Sequence, residues 1–296
     1  MKLQESQEAA AKVDAFADAK RSPLAAASLS YADAAVAHLR QSDPIMAAII
    51  ERVGPLKIGY RRERFPALVR AIIFQQLAGR AAQTIHDRFV DALGGGLPTP
   101  EAVLAASDEI LRGAGLSRGK MAYLRDLASH VQTGSLDFKR LPKLTDDEIV
   151  AHLTRVKGIG RWTAEMFMMF NLRRPDILPV DDLGVRMAVM KAYGMAEAPL
   201  PKQLREFGER WKPHRTAASW YLWQSLRLVT MEDATAKAVL RATGKKSAAK
   251  PKAATEPASK GKAKAVKASS AQGSKGSKTS SRKGKAESPK RPRKRS

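Results

Sequence analysis

Residues 156–166 read VKGIGRWTAEM, and residues 179–186 read PVDDLGVR. The first stretch follows LTDDEIVAHLTRV, in which Thr145 and Glu148 stand three apart as the capping box of a helix start. Gly158 and Gly160 interrupt the helix in a short turn, and RWTAEMFMMFNL resumes it. Two helices joined this way make a helix-hairpin-helix. The N–H groups of Gly158, Gly160 and the next helix's first turn then lack intrahelical partners. With the positive end of that helix they form a site for a phosphate oxygen, and Lys157 and Arg161 add charge on either side. Taken alone, a Gly-x-Gly turn suits a purely structural connection equally well. The sequel tips the balance: RRPDILPV, with Pro175 and Pro179, crosses in an extended stretch, and a new helix opens at Asp181 and Asp182. One carboxylate is enough to cap it, which leaves the other free to be aimed elsewhere.

Outward from the hairpin, apolar residues recur at three and four. Ala35, Leu39, Ile45, Ile49 and Val53 do so around an Asp-Pro break. Residues 64–96, RFPALVRAIIFQQLAGRAAQTIHDRFVDALGGG, read as one long helix that starts at Pro66 and stops at the triple Gly, with Gln75 and Gln76 inside it. Residues 99–115 and 117–134 each predict a short helix, 181–194 a further one, and 200–229 two more, split at Pro213. No period of two is sustained, so the body is all-α with about ten helices. Trp220, Tyr221 and Trp223 fit the core.

The chain of 296 residues carries a net +24 and no Cys, which excludes disulfides, thiolate zinc sites and iron–sulfur clusters. From Arg241 onward there are 19 Lys/Arg against 2 Glu, so most of the excess charge lies in the last fifth. That segment is Lys/Ala/Ser/Gly/Pro without an aromatic, and residues 243–296 are expected to be a disordered Lys-rich tail that tethers the protein to a polyanion. Residues 1–30 are expected to be flexible or weakly helical, which puts the folded domain at 31–242. The amino terminus lacks an apolar signal region and no apolar run is long enough to span a membrane. The expected partner is therefore nucleic acid, and the compartment the cytoplasm, or the nucleus if the chain is eukaryotic.

The run LTRVKGIGRWTAEMFMMFNLRRPDILPVDDLGVR, residues 153–186, resembles the signature of the helix-hairpin-helix DNA glycosylase superfamily. Within it GIGRWTA and PVDD are similar to the DNA-3-methyladenine glycosylase II branch, as are AIIFQQLAGRAA at 71–82 and WKPHRTAASWYLW at 211–223. The likeness runs in the same order over roughly residues 40–230. It implies a compact, all-α, two-lobed glycosylase fold and hydrolysis of the N-glycosidic bond of alkylated purines such as 3-methyladenine and 7-methylguanine, in double-stranded DNA, by a monomer.

In that family an apolar residue stands three positions past the catalytic carboxylate. The resemblance thus assigns catalysis to Asp182, with Val185 in that place, and leaves Asp181 as helix cap or supporting partner. Members that also nick the strand carry a hairpin Lys where this chain has Trp162, so no lyase step is expected. Trp162 would face the everted base, together with Met166, where some relatives place Tyr, and His214, where some place a bulky aromatic. Gln76 or Leu77 would fill the gap left in the duplex. Lys157, Gly158, Gly160 and Arg161 would hold phosphate. No cofactor or metal is expected, and a monovalent cation bridging hairpin carbonyls and a phosphate is compatible with this reading. Two other functions fit parts of the sequence. A non-catalytic DNA-binding or architectural protein needs only hairpin and tail. An oxidised-base or mismatch glycosylase of the same superfamily is the other, and the missing hairpin Lys and the absence of Cys weigh against its bifunctional and cluster-bearing branches.

Overall fold

A computed structural model describes residues 25–247; residues 1–24 and 248–296 lie outside it, and with them most of the expected N-terminal segment and the Lys-rich tail. Among the described residues there are twelve α-helices and no strand. They are α1 (Ala25–Ser42), α2 (Pro44–Val53), α3 (Arg64–Phe74), α4 (Gly79–Ala92), α5 (Pro100–Ala105), α6 (Asp108–Gly113), α7 (Arg118–Gln132), α8 (Asp146–Leu153), α9 (Arg161–Phe170), α10 (Leu183–Ala192), α11 (Pro201–Phe207) and α12 (Arg215–Ser247). Short 3-10 turns span Leu141–Lys143 and Gly208–Trp211. No helix in the described residues is long and apolar enough to cross a membrane.

The helices pack as two groups. α3 to α9 form one, through the pairs α3–α4, α3–α7, α5–α7 and α8–α9. α1 and α2 pack with each other and with α12, which also packs on α10, so the first and last described helices share the second group. α9 lies at the centre, in contact with α3 as well as α8. Every residue from Thr163 to Phe170 is buried, so this helix has no solvent face beyond its first turn. That is what aims Arg161 and Trp162 at the surface.

The long helix expected over 64–96 is two helices. α3 ends at Phe74, Gln75 turns to φ −57, ψ 133, and Gln76 adopts φ +56 before α4 begins at Gly79. The apolar spacing runs on through the break, which is why periodicity misses it. What breaks the helix is tertiary: the Lys120 ammonium, from the first turn of α7, donates to the Ile73 and Gln75 carbonyls at 2.6 and 2.9 Å. Those carbonyls belong to the end of a helix, where they have no intrahelical partner. Residues 99–115 also divide, because Ser107 caps a second helix by accepting from the Ile110 N–H. α12 continues to Ser247, five residues past the expected domain boundary.

Candidate active site

The hairpin forms as the sequence predicts. Thr145 and Glu148 make both bonds of the capping box, and α8 and α9 flank the turn. Val156 and Ile159 are buried anchors, while Lys157, Gly158, Gly160 and Arg161 are exposed. The two glycines have different reasons to be there. Gly158 sits at φ +81, and a Cβ on it would lie 2.3 Å from the Tyr123 ring. Gly160, the N-cap of α9, has an ordinary φ of −93, and among the described residues a Cβ there would meet nothing within 4 Å. No internal contact requires glycine at 160. The flanking cations are engaged: Lys157 Nζ lies 3.4 Å from Asp126, and Arg161 Nε donates to Glu165 at 3.0 Å.

Beyond α9 the extended stretch is fastened to the start of α12. Arg215 grips Asp176 through Nε at 2.7 Å and a terminal nitrogen at 2.8 Å. The Thr216 hydroxyl donates to the Arg174 carbonyl and accepts from the Ile177 N–H. This fixes where the chain arrives at Asp182. That residue, 4% exposed, is the N-cap of α10, its Oδ1 accepting from the Val185 N–H at 2.8 Å. The cap role held open for Asp181 is therefore corrected: Asp181 is exposed, and Asp182 does the capping. Two indoles complete the arrangement. Trp223 Nε1 donates to Oδ1 at 2.9 Å and Trp162 Nε1 to Oδ2 at 2.7 Å. Gly184 permits the approach, since a Cβ there would lie 3.0 Å from Oδ1 and 3.2 Å from Trp223.

Asp43 supplies an internal comparison. It too is a buried helix N-cap that receives an indole N–H, here from Trp211 at 3.0 Å. Its two oxygens take four donors, the others being the Ile45 and Met46 N–H groups and the Tyr193 hydroxyl. A carboxylate has about four acceptor positions, so Asp43 is saturated and structural. Asp182 receives three donors among the described residues, one of them on Oδ2. All three are donors, and Oδ2 retains an acceptor position beside Trp162.

The remaining expected site residues are dispersed. Gln76 is exposed at the tip of the α3–α4 turn with Leu77 half-buried behind it, not inside a helix as expected. Met166 is 0% exposed and belongs to the core; as pocket lining it is corrected, because α9 is buried on every side there. His214 packs against the rings of Tyr31 and His38 at 5.7 and 5.3 Å, and none of these holds Asp182. Burial, then the neighbouring His38, lowers its pKa against the opposing pull of Asp176. Trp223, expected mostly as core, is buried and also binds the carboxylate; a buried indole needs an acceptor, and that requirement was its only signal in the sequence. Among the described residues no group of three or more His, Asp or Glu is placed to hold a metal.

Glu165 was absent from the expected set. It is 4% exposed on α9, its Oε1 bound to Arg161 and its Oε2 without a hydrogen-bond partner among the described residues. Burial pushes its pKa up to about 7, against the lowering influence of Arg161 and with a small addition from Asp181 and Asp182. A folded-state value above the unfolded one means that folding takes up a proton between about 4.5 and 7. Stability is then gained as pH falls through 7 and lost as it rises. Relative to Glu165→Gln, the wild-type unfolding free energy should increase by an order of 2 kcal/mol from pH 8 to pH 5. Denaturant titrations of both proteins measure it, and a pH-independent difference would refute the assignment.

The chain matches the sequence model described as HhH-GPD superfamily base excision DNA repair protein over residues 69–214. It is 34% identical over 196 residues to DNA-3-methyladenine glycosylase 1 of Schizosaccharomyces pombe, an alignment covering 64% of this chain and 86% of that protein. It resembles the structure of a 3-methyladenine DNA glycosylase from the same yeast in complex with abasic DNA, with a TM-score of 0.61 at 33% identity over 66% of this chain and 98% of the other. A Bacillus halodurans DNA-3-methyladenine glycosidase aligns with the same TM-score, 0.61, at 38% identity over 65% and 88%.

Proposed function

This chain belongs to the HhH-GPD superfamily of base excision DNA repair proteins and is a DNA glycosylase of its 3-methyladenine branch, and we propose that it works by monofunctional hydrolysis centred on Asp182. The observation that carries the proposal is a buried, indole-held carboxylate with one acceptor position left, twenty residues beyond the Trp162 that follows the hairpin turn.

Cleaving an N-glycosidic bond builds positive charge on the deoxyribose. A fixed anion in a site poor in water stabilises that charge and can orient or deprotonate the attacking water. The three donors cost Asp182 no reorganisation during reaction, since they hold it in place beforehand. An alkylated purine is electron-deficient and its glycosidic bond is already weakened. Stacking on Trp162 and one carboxylate are then chemically sufficient once the nucleotide is everted. No amine stands at position 162 to form a Schiff base, so the product is an intact abasic site.

Gly160 and the first N–H groups of α9 support a phosphate contact, since the open space at Gly160 lets an anion approach the backbone. Lys157 and Arg161 join by leaving their carboxylate partners. The enzyme acts as a monomer on alkylated duplex DNA, in the bacterial cytoplasm or a eukaryotic nucleus. Methylated duplex incubated with the protein should release free 3-methyladenine and 7-methylguanine. Strand breaks should follow only after alkali. Nicks without alkali, or no released base, would defeat the reading.

A further inference from the structure

The exposed turn at Gln76 and the hairpin at Gly158 come from segments more than eighty residues apart, yet they are joined. Gln75 Nε2 donates to the Gly158 carbonyl at 2.7 Å. Both loops also rest on one stripe of α7, with a spacing of three residues that puts its members on neighbouring turns. Lys120 holds the Ile73 and Gln75 carbonyls. Tyr123 fills the space beneath Gly158. Asp126 accepts the Lys157 N–H at 2.8 Å. Burial lowers the Lys120 pKa, so part of its hydration is given up for these two carbonyls.

We propose that Gln75 and Lys120 are positioning residues that lock the Gln76–Leu77 tip to the hairpin, so that filling the gap behind an everted nucleotide and gripping the backbone happen as one rigid unit. The inference rests on the proposed glycosylase reading, in which the hairpin holds phosphate, and on the gap-filling role that the family resemblance implies for the tip. The placement of the contact points to positioning. A single hydrogen bond at a part-exposed surface adds little to global stability. It does fix the separation of two exposed loops, and a displacement of about 1 Å in such an assembly can cost a hundredfold in rate. The strained φ of Gln76 fits a tip held in place from outside its own loop.

The test uses the full chain and a duplex with one alkylated purine beside 2-aminopurine, whose fluorescence reports eversion. Gln75→Leu keeps the volume and removes the donor. It should slow single-turnover base release about ten- to hundredfold and reduce the fluorescence change. Affinity for undamaged duplex, set by phosphate contacts, should stay within about threefold. The melting temperature should move by less than about 2 °C. Lys120→Met should act in the same direction. Gln76→Ala should slow release in the wild type but add little in the Gln75→Leu background, since a tip that is already uncoupled has less to lose. Wild-type release by Gln75→Leu, or independent multiplication of the two effects, would overturn the coupling. If Gln76→Ala and Leu77→Ala both leave release unchanged while Asp182→Asn still cuts it about a hundredfold or more, the tip does not fill the gap and the proposal fails, with the catalytic reading intact.

Discussion

Replacing Asp182 by Asn should reduce base release by about a hundred- to a thousandfold, the cost of removing one preorganised electrostatic partner from a transition state. Affinity for DNA should change little, because phosphate contacts supply most of it. The substitution is not silent in the fold. An amide offers one acceptor oxygen and one donor nitrogen to three hydrogen-bond partners that are all donors, two indoles and the Val185 N–H. If the oxygen keeps Val185 and Trp223, the nitrogen meets Trp162 Nε1, and a donor faces a donor. The expected penalty is about 1–3 kcal/mol of stability, so rates must be compared on folded protein. Trp223→Phe separates the two effects. It removes one donor and leaves the charge, and should lower release by about tenfold. A non-catalytic, architectural protein would show no loss of release in either variant, having none to lose.

The second large effect is at the hairpin. Gly158→Ala puts a methyl group inside the Tyr123 ring and an L side chain at φ +81. The left-handed conformation alone costs about 1–2 kcal/mol, and the overlap forces the ring or the turn to move. A loss of about 2–4 kcal/mol in stability is expected, with DNA affinity down ten- to a hundredfold or about that. Tyr123→Ala combined with Gly158→Ala should restore the steric part and leave the backbone part. Gly160→Ala should behave differently. Its φ is ordinary and its surroundings open, so stability should stay within about 0.5 kcal/mol. Affinity should still fall about tenfold, because the methyl lies where a phosphate approaches the backbone. Calorimetry with a salt-dependent binding series distinguishes the pair. Wild-type binding by Gly160→Ala would remove the phosphate role.

How much of this was legible in the sequence depends on whether the determining contact is local. The hairpin, the capping box at Thr145 and the extended stretch behind Pro175 and Pro179 follow from neighbours in the chain, and the structure has them where the spacing puts them. The break at Gln75 does not, since it is imposed by an ammonium 45 residues away and the helical spacing continues through it. Met166 sits one turn past Trp162 on the same helix, and sequence spacing cannot reveal that α9 is covered on all sides. Asp181 and Asp182 look alike in the sequence. They differ because the indole of Trp223, 41 residues on, and that of Trp162 both converge on Asp182.

The central claim is that the Asp182 carboxylate faces the anomeric carbon of an everted nucleotide. A crystal structure of the full chain with a duplex carrying a cationic pyrrolidine in place of the damaged nucleotide tests it most directly. The expected result is an Asp182 oxygen about 3–3.5 Å from the ring position that stands for C1′, with Trp162 still donating to the carboxylate. An oxygen pair more than about twice that distance from the ring, with the pyrrolidine held by other side chains, would contradict it.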